Sequence, residues 1–485
     1  MDIENILDLY GPVRSSKIKA RLLNSGFTEE AARKRISRAS HKVKKLDCIQ
    51  FPNREAFLYL EAQQNSETFI SNLLEALNET NAIHYGAVMA LAEWGGKVQL
   101  EKFKILSGAP QQRKNHKTFD QLLNELKKSK LIDIIKEEEV EFIEINKFIV
   151  NSSSIPRNYL HSLEILEEIM TVALENWLKN TGLGSYNSIR RISDFNSYFW
   201  SLTVPTYIFP FYQKLPGESP GFVVVDILPQ YNIKPDSIKY FIKKFEASKI
   251  QWSKKNFLPI LLGNHFNSEA FELGKKSGFL ITTPKQLFGD EVAELIANIK
   301  SSLDNVISLL EDETNLSNLF KSVTRLGGKS NNIRGQLFEF VAGFIIHNQS
   351  GGEVEIGKKI SIGIKNAEID VFCLEGLKSI RVVECKGYNS NNRVSKDIIE
   401  KWRKKIQIVR EWIDKTSVYR DREQIYEFWT TSLFEEEALK ELTKMRDSVR
   451  KYKIGFHDLS GIKTIAREQK LSSIIDILNE HYGAY

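Results

Sequence analysis

Ala367-Glu368-Ile369-Asp370-Val371-Phe372 and, one short turn later, Ile380-Arg381-Val382-Val383-Glu384-Cys385-Lys386-Gly387 are two apolar runs that carry charge where their neighbours ask for burial. Successive residues of a strand face opposite sides, so Glu384 and Lys386 share one side while Val383 and Cys385 take the other. An unpaired charge on a half-buried strand costs several kcal/mol or is forced to neutralise, which leaves ion pairing or metal binding as the reasons to keep it. Two converging carboxylates repel, and one pKa rises unless a cation lies between them. A hard divalent ion such as Mg2+ suits a site of one or two carboxylates, waters and phosphate oxygens. Lys386, two residues from Glu384, is then placed to orient or deprotonate a water, or to neutralise charge developing on phosphorus. The plainer alternative is a salt-bridged sheet edge in which Asp370 and Glu384 pair with Lys386 or Arg381.

A third acid, Glu339, lies in Ile333-Arg334-Gly335-Gln336-Leu337-Phe338-Glu339-Phe340-Val341-Ala342-Gly343-Phe344-Ile345-Ile346, where large hydrophobic residues flank it. Helix with Glu, hairpin with Asp, strand with Glu-x-Lys, then helix is an order that resembles the PD-(D/E)XK nuclease superfamily, the restriction-endonuclease-like fold, over residues 325–460. Glu-x-Lys alone carries no information. The 31 residues from Glu339 to Asp370 and the 14 from Asp370 to Glu384, each on the expected element, make the pattern specific. By that resemblance Asp370 and Glu384 are metal ligands and the backbone carbonyl of Cys385 is a further ligand. Lys386 orients the attacking water, and Glu339 is a ligand or an acid behind the ligands. The implied cofactor is Mg2+, with Mn2+ as a substitute. The family's proline before the aspartate is replaced by Ile369, and Glu368 reads as a solvated hairpin charge.

A helix expected over 395–415 has Trp402, Ile406, Val409 and Ile413 as its core stripe. Its Lys396, Lys401, Arg403, Lys404, Lys405 and Arg410 are either contacts to a phosphate backbone or a solvated face balanced by Asp397, Glu400 and Glu411. Gln407 is the polar residue of this helix with a resemblance-based claim to the site.

Residues 1–45 hold eleven Lys or Arg against five Asp or Glu, an excess of +6 that equals the net charge of the whole chain. So concentrated a positive segment is the electrostatic footprint of a nucleic-acid-binding module. Helices expected at 3–9, 15–25 and 28–40, then strands at 49–51 and 56–60, resemble a winged helix-turn-helix. The third helix would turn Arg33, Lys34, Arg35, Arg38 and Lys42 toward DNA, with Arg54 at the tip of the wing. Residues 66–150 repeat the theme less basically, with helices at 67–79, 82–94 and 118–129 and strands at 131–136 and 140–148. The acidic run 137–141 argues against that wing touching phosphates.

Phe222-Val223-Val224-Val225-Asp226-Ile227-Leu228 echoes the Glu-x-Lys strand, with leucine in the lysine's place. The helix, strand, helix and strand expected at 234–248, 257–262, 268–277 and 279–283 follow the same course as 395–457, and Phe266 with Ala270 matches Phe434 with Ala438. A second restriction-endonuclease-like domain that has lost its chemistry is inferred, Pro205 and Thr206 offering no second carboxylate. A helix over 291–310 bridges to the C-terminal domain. Gly327-Gly328-Lys329-Ser330 is a turn rather than a phosphate loop, because the first glycine of that motif is absent and no strand precedes it.

At 485 residues the chain calls for three or four domains. The expected organisation is multidomain α+β and α/β: a basic winged helix at 1–64, a second winged-helix-like domain at 65–152, a degenerate restriction-endonuclease-like domain at 153–310, and an active one with a mixed central sheet at 325–485. Cys48, Cys373 and Cys385 show no paired spacing, and no apolar run is long enough to cross a bilayer, so a cytoplasmic protein is expected. The resemblance implies a Mg2+-dependent endodeoxyribonuclease that hydrolyses phosphodiesters in double-stranded DNA, of the kind used in bacterial restriction or antiphage defence. Two chains are expected where both strands are cut. The rivals are a nuclease subunit of a defence complex targeted by a partner subunit, and a non-cleaving DNA-binding regulator on a nuclease scaffold.

Overall fold

The computed structural model describes residues 2–137, 140–150, 157–185, 187–209, 211, 220–249, 256–326, 331–363, 365–388 and 392–483. The glycine-lysine-serine turn expected at 327–330, and residues 138 and 139 of the acidic run, lie outside these. Packing divides the described residues into two units. One is drawn from 1–136, 140–155 and 182–282, the other from 137–139, 156–181 and 283–485.

The first unit opens with α1 (Ile3–Tyr10), β1 (Val13–Arg14), α2 (Ser15–Asn24), α3 (Glu29–Ser37), β2 (Val43–Lys45) and β3 (Phe57–Leu60), the strands forming an antiparallel sheet in the order β1-β3-β2. Thr28 caps α3 by accepting from Ala31 N, and Glu29 and Glu30 sit in its first turn where the helix dipole favours negative charge. Gly26, at φ +88°, turns the chain from α2 to α3 in a conformation that costs other residues energy. Ile6, Leu7, Ile18, Leu22, Ala32 and Leu58 form the core. The strand expected at 49–51 is absent: β2 pairs with β3 instead, and Ile49 and Phe51 are apolar because they are buried from the connecting loop.

The next segment repeats the order. After α4 (Glu67–Glu79) come α5 (Ile83–Glu93), β4 (Lys97–Gln99), α6 (Leu100–Leu106), α7 (Phe119–Lys128), β5 (Ile132–Glu137) and β6 (Val140–Ile145), with the sheet again running first strand, third, second. The short β4 and α6 were not anticipated. A long helix, α8 (Arg157–Asn180), belongs to the second unit.

The first unit is completed by β7 (Arg190–Phe195), β8 (Tyr198–Thr206), β9 (Gly221–Leu228), α9 (Lys239–Lys249), β10 (Phe257–Gly263), α10 (Ser268–Ser277) and β11 (Leu280–Thr282). Their sheet runs β7-β8-β9-β10-β11, antiparallel through β9 and parallel from β9 onward. The second unit continues with α11 (Pro284–Phe288), α12 (Asp290–Asp304), α13 (Val306–Glu311), α14 (Glu313–Arg325) and α15 (Asn331–Ser350). The single bridging helix expected at 291–310 is therefore broken, at Asn305, whose side chain caps α13 by accepting from Ser308 N. Then come β12 (Glu353–Ile362), β13 (Lys365–Glu375), β14 (Ser379–Lys386), β15 (Arg393–Val394), α16 (Lys396–Lys415), β16 (Glu423–Thr430), β17 (Leu433–Phe434), α17 (Glu436–Ser448), β18 (Lys453–His457), α18 (Leu459–Glu468) and α19 (Ser472–Tyr482).

The second large sheet runs β12-β13-β14-β16-β18, antiparallel through β14 and parallel afterwards, the same order and directions as the first. Even the small pairing recurs: Val394 bonds beside Phe434, as Ile233 does beside Phe266. Residues 153–310, expected as one domain, are shared between the units, because α8 lays its buried Leu163, Leu166, Ile169 and Met170 among helices and strands of the second unit, α12, α15 and β12. Among the described residues no helix is long and apolar enough to cross a membrane.

Candidate active site

The β13–β14 ladder runs from Glu375 opposite Ser379 to Val371 opposite Val383 and stops there. At the next position Asp370 takes over: its Oδ2 accepts the Cys385 N–H at 2.7 Å, which satisfies an amide the ladder no longer reaches. Glu384 lies in the same layer, with Lys386 Nζ donating to its Oε1 at 2.6 Å. Lys405, from α16, donates to Glu384 Oε2 at 2.5 Å and reaches Asp370 Oδ1 at 3.4 Å. Asp370, Glu384 and Lys405 expose only 12%, 10% and 12% of their side chains. Because one ammonium nitrogen touches both carboxylates, the two oxygens lie within about 6 Å of each other, a span one hydrated divalent ion can bridge.

Burial alone would raise the Glu384 carboxyl, but the ammonium groups of Lys386 and Lys405 outweigh it and push it down to about 2. Asp370 goes the other way: burial and then the neighbouring Glu384 charge raise it, against the two lysines. Burial disfavours the charged forms of Lys386 and Lys405, yet the carboxylates more than compensate and hold both above the ordinary lysine value. The surroundings thus drive the two carboxyls apart, Glu384 downward and Asp370 upward.

The structure brings Asp370, Glu384 and Lys386 together and adds Lys405, which sequence reasoning had left on a solvated or backbone-contacting face. Gln407 is exposed and does not join them. Other charges of α16 do face outward, as in Lys396–Glu400, Arg403–Glu441 and Lys415–Glu411. Arg381 is not a partner of the site, since it pairs with Glu375 and Glu427, and Glu368 is exposed. Glu339 lies within electrostatic reach of Asp370, Lys386 and Lys405, although among the described residues no three His, Cys, Asp or Glu side chains are grouped to hold a metal ion. Its Oε2 lies 3.8 Å from His161 Nε2 of α8, and burial, followed by the charges of Asp370 and Glu368, raises its carboxyl well above the usual range. The Cys385 thiol is buried, which pushes it far up and makes it a packing group. Donor atoms thus fit a divalent cation at Asp370 Oδ1 and Glu384 Oε2, two hard oxygens in one buried layer, and not as a three-acid cage.

The first unit holds a matching constellation. Asp226 takes the place of Glu384, Leu228 that of Lys386, and Lys244 of α9 that of Lys405. The residue beside Asp226 on the neighbouring strand is Ser201, not Pro205 or Thr206 as the sequence had suggested, because the β8–β9 ladder ends at Leu202 opposite Val225. Ser201 Oγ accepts from Ile227 N at 3.4 Å, the role Asp370 plays toward Cys385, and Ser201 N donates to Asp226 Oδ1 at 3.0 Å. Lys244 Nζ donates to Asp226 Oδ2 at 2.7 Å and lies 3.8 Å from the centre of the Trp200 ring, with lysine and aspartate fully buried. Burial, only partly opposed by Asp226, pushes Lys244 down to about 8.

Of the basic residues expected to face DNA, Arg33, Lys34, Arg35, Arg38, Lys42 and Arg54 are all exposed. Arg33 and Lys34 pair with Glu29 and Glu30 one turn earlier, Arg35 lies over the Phe27 ring, and Lys42 reaches Glu4. Such exposed pairs are worth about 0–1 kcal/mol, weak enough for a phosphate to displace. Compared with known proteins, the chain matches no family model, no curated protein and no solved structure.

Proposed function

We propose that the chain is a divalent-metal-dependent nuclease of the PD-(D/E)XK type that hydrolyses phosphodiester bonds of DNA. The observation that carries this reading is the convergence of Asp370 Oδ1 and Glu384 Oε2 on a single cationic point, with Lys386 on the same strand as Glu384. A helix, an antiparallel hairpin, then parallel strands with crossover helices is the arrangement the resemblance implied, and it supports an active domain in the second unit and a silenced copy in the first. The helix-strand-helix-helix-strand-strand order with its first-third-second sheet, found twice, supports two winged-helix-like modules.

Asp370 and Glu384 would hold the ion, presenting the oxygens not engaged by Cys385 N–H and Lys386. A bound Mg2+ or Mn2+ would supply Lewis-acid polarisation of the phosphoryl oxygen and a water of lowered pKa. Lys386 positions that water or holds the charge that gathers on phosphorus. Glu384, ionised throughout the neutral range, keeps Lys386 charged and pointed inward. The exposed Arg33, Arg38 and Arg54 contact the DNA backbone without reading bases.

A second reading is favoured by one observation: much of the first module's positive charge is already answered, Arg14 and Lys17 by Glu55, Glu75 and Glu79, and Lys19 by Glu29. A reader so neutralised is compatible with a nuclease subunit whose target is chosen by a partner. Incubating the purified full chain with supercoiled plasmid and Mg2+ tests both readings. Nicking that falls by about 10²-fold or more in Lys386→Ala is expected, the scale on which a positioned proton-transfer or charge-stabilising group acts. Equal rates in the two proteins would sink the role given to Lys386, and inertness rescued only by added partner proteins would favour the second reading.

A further inference from the structure

Lys405 stands where a cation shared by the two carboxylates would stand. Of the four carboxylate oxygens, Asp370 Oδ2 is taken by the Cys385 N–H at 2.7 Å and Glu384 Oε1 by Lys386 Nζ at 2.6 Å. The remaining two, Asp370 Oδ1 and Glu384 Oε2, both meet Lys405 Nζ, at 3.4 Å and 2.5 Å. A hard ion bonded to those oxygens at ~2 Å needs the same space, and two positive charges at such separation repel strongly. The charge balance gives the same answer. Two carboxylates already face two ammonium groups, so a divalent ion added without a departure would leave excess positive charge in a buried site.

The first unit supplies an independent comparison. There Lys244, on the matching helix, is locked to the single carboxylate of Asp226, with exposures of 1% and 0%, and Ser201 replaces the second acid. One lysine and one carboxylate neutralise each other with no charge left for a metal. In the second unit the matching lysine faces two acids and keeps partial access to solvent.

We infer that Lys405 is an internal stand-in for the divalent cation, exchanged for it on loading, after which its ammonium is released from the two carboxylates to contact a phosphate of the substrate. The inference rests on the nuclease reading. It assigns to Lys405 a competing role toward the metal and a binding role toward DNA.

Two measurements on the full chain test it. Mn2+ binding followed by electron paramagnetic resonance should be about tenfold tighter in Lys405→Met than in wild type, because removing a competing occupant raises the fraction of sites able to bind. Reductive methylation of wild type, read by mass spectrometry, should modify Lys405 several-fold faster when Mg2+ is present, while Lys244, sealed in the first unit, stays protected as the internal reference. Equal or weaker Mn2+ binding by a folded Lys405→Met, or methylation of Lys405 indifferent to Mg2+, overturns the exchange and leaves the nuclease reading standing. Failure of wild type and Lys405→Met alike to bind Mn2+ overturns both. Should Lys405→Met not fold, the methylation of wild type decides.

Discussion

Asp370 and Glu384 are neighbours of the same chemical kind, yet their surroundings drive their proton affinities apart. Glu384 is held at about 2 against an ordinary 4.5, so its contribution to stability is fully present above pH 4.5 and is lost as the pH falls toward 2. Asp370 is raised above its ordinary 3.8, so its contribution is present below pH 3.8 and disappears as the pH climbs through the folded value. Glu384→Gln strands Lys386 and Lys405 beside one carboxylate. Removing one partner of a buried pair costs about 3–5 kcal/mol, and the partial exposure of Lys386 places this case near the low end. In urea unfolding curves recorded between pH 3 and pH 7, the deficit of Glu384→Gln relative to wild type should be widest above pH 4.5 and shrink on acidification. A deficit constant across that range would show that the charge of Glu384 is not what stabilises the site. The strand pattern put Asp370, Glu384 and Lys386 in plain view, because period-two alternation makes a charge among valines conspicuous. Lys405 was not legible in that way. It lies one residue before Ile406 on the edge of the helix's buried stripe, one of seven basic residues of that helix, and only packing against the sheet distinguishes it from the solvated lysines around it. The signal that could have found it was the internal echo, which aligns Trp402, Lys405 and Ile406 with Phe241, Lys244 and Phe245.

At the scale of elements, the site depends on how closely α15 approaches the end of β14. A Cβ built on Gly387 would lie 2.8 Å from Arg334 O, 2.8 Å from Gly335 Cα and 2.9 Å from Phe338 Cβ, so the first turns of α15 rest directly on the glycine. Two of those atoms are backbone or its α-carbon and cannot rotate away. Gly387→Ala must push α15, which carries Glu339, off the strand that carries Glu384 and Lys386. Overpacking of this kind costs about 1–3 kcal/mol. Thermal unfolding of Gly387→Ala should show a loss in that range, whereas Gly351→Ala would be a poor control because Gly351, at φ +61°, is strained by any side chain. Gly335, in open space on the same helix, is the proper one. An unchanged melting temperature in Gly387→Ala would mean that the approach is looser than these distances imply. Strands and long helices of this region followed from periodicity. The broken helix at Asn305, the small β4 and α6, and the pairing of β2 rather than 49–51 did not, since each turns on which apolar residues find tertiary partners, and local sequence does not record that.

Across the whole molecule, two five-stranded sheets share one strand order, and each keeps a carboxylate, a helix lysine and a small polar or acidic group bonded to the strand amide beyond the carboxylate. In the first unit the Ser201–Asp226–Lys244 group is sealed, with Trp200 closing over the lysine. A buried pair without a reacting partner is retained or lost on stability alone, and its desolvation cost is met only while both charges are present. Asp226→Leu leaves the Lys244 ammonium without its anion, and Lys244→Met leaves the Asp226 carboxylate with only the Ser201 N–H. Each single change should cost about 3–5 kcal/mol in equilibrium unfolding of the first unit. The double change Asp226→Leu with Lys244→Met removes both charges at similar volume and should cost much less than either, or stabilise. Mn2+ binding by all three proteins, where folded, should equal that of wild type, because the oxygens left to a cation belong to Asp370 and Glu384. Single and double changes that add up independently would show that Lys244 and Asp226 are not coupled. A loss of Mn2+ binding in the double variant would place the metal in the first unit, and the assignment of silent and active copies would have to be reversed.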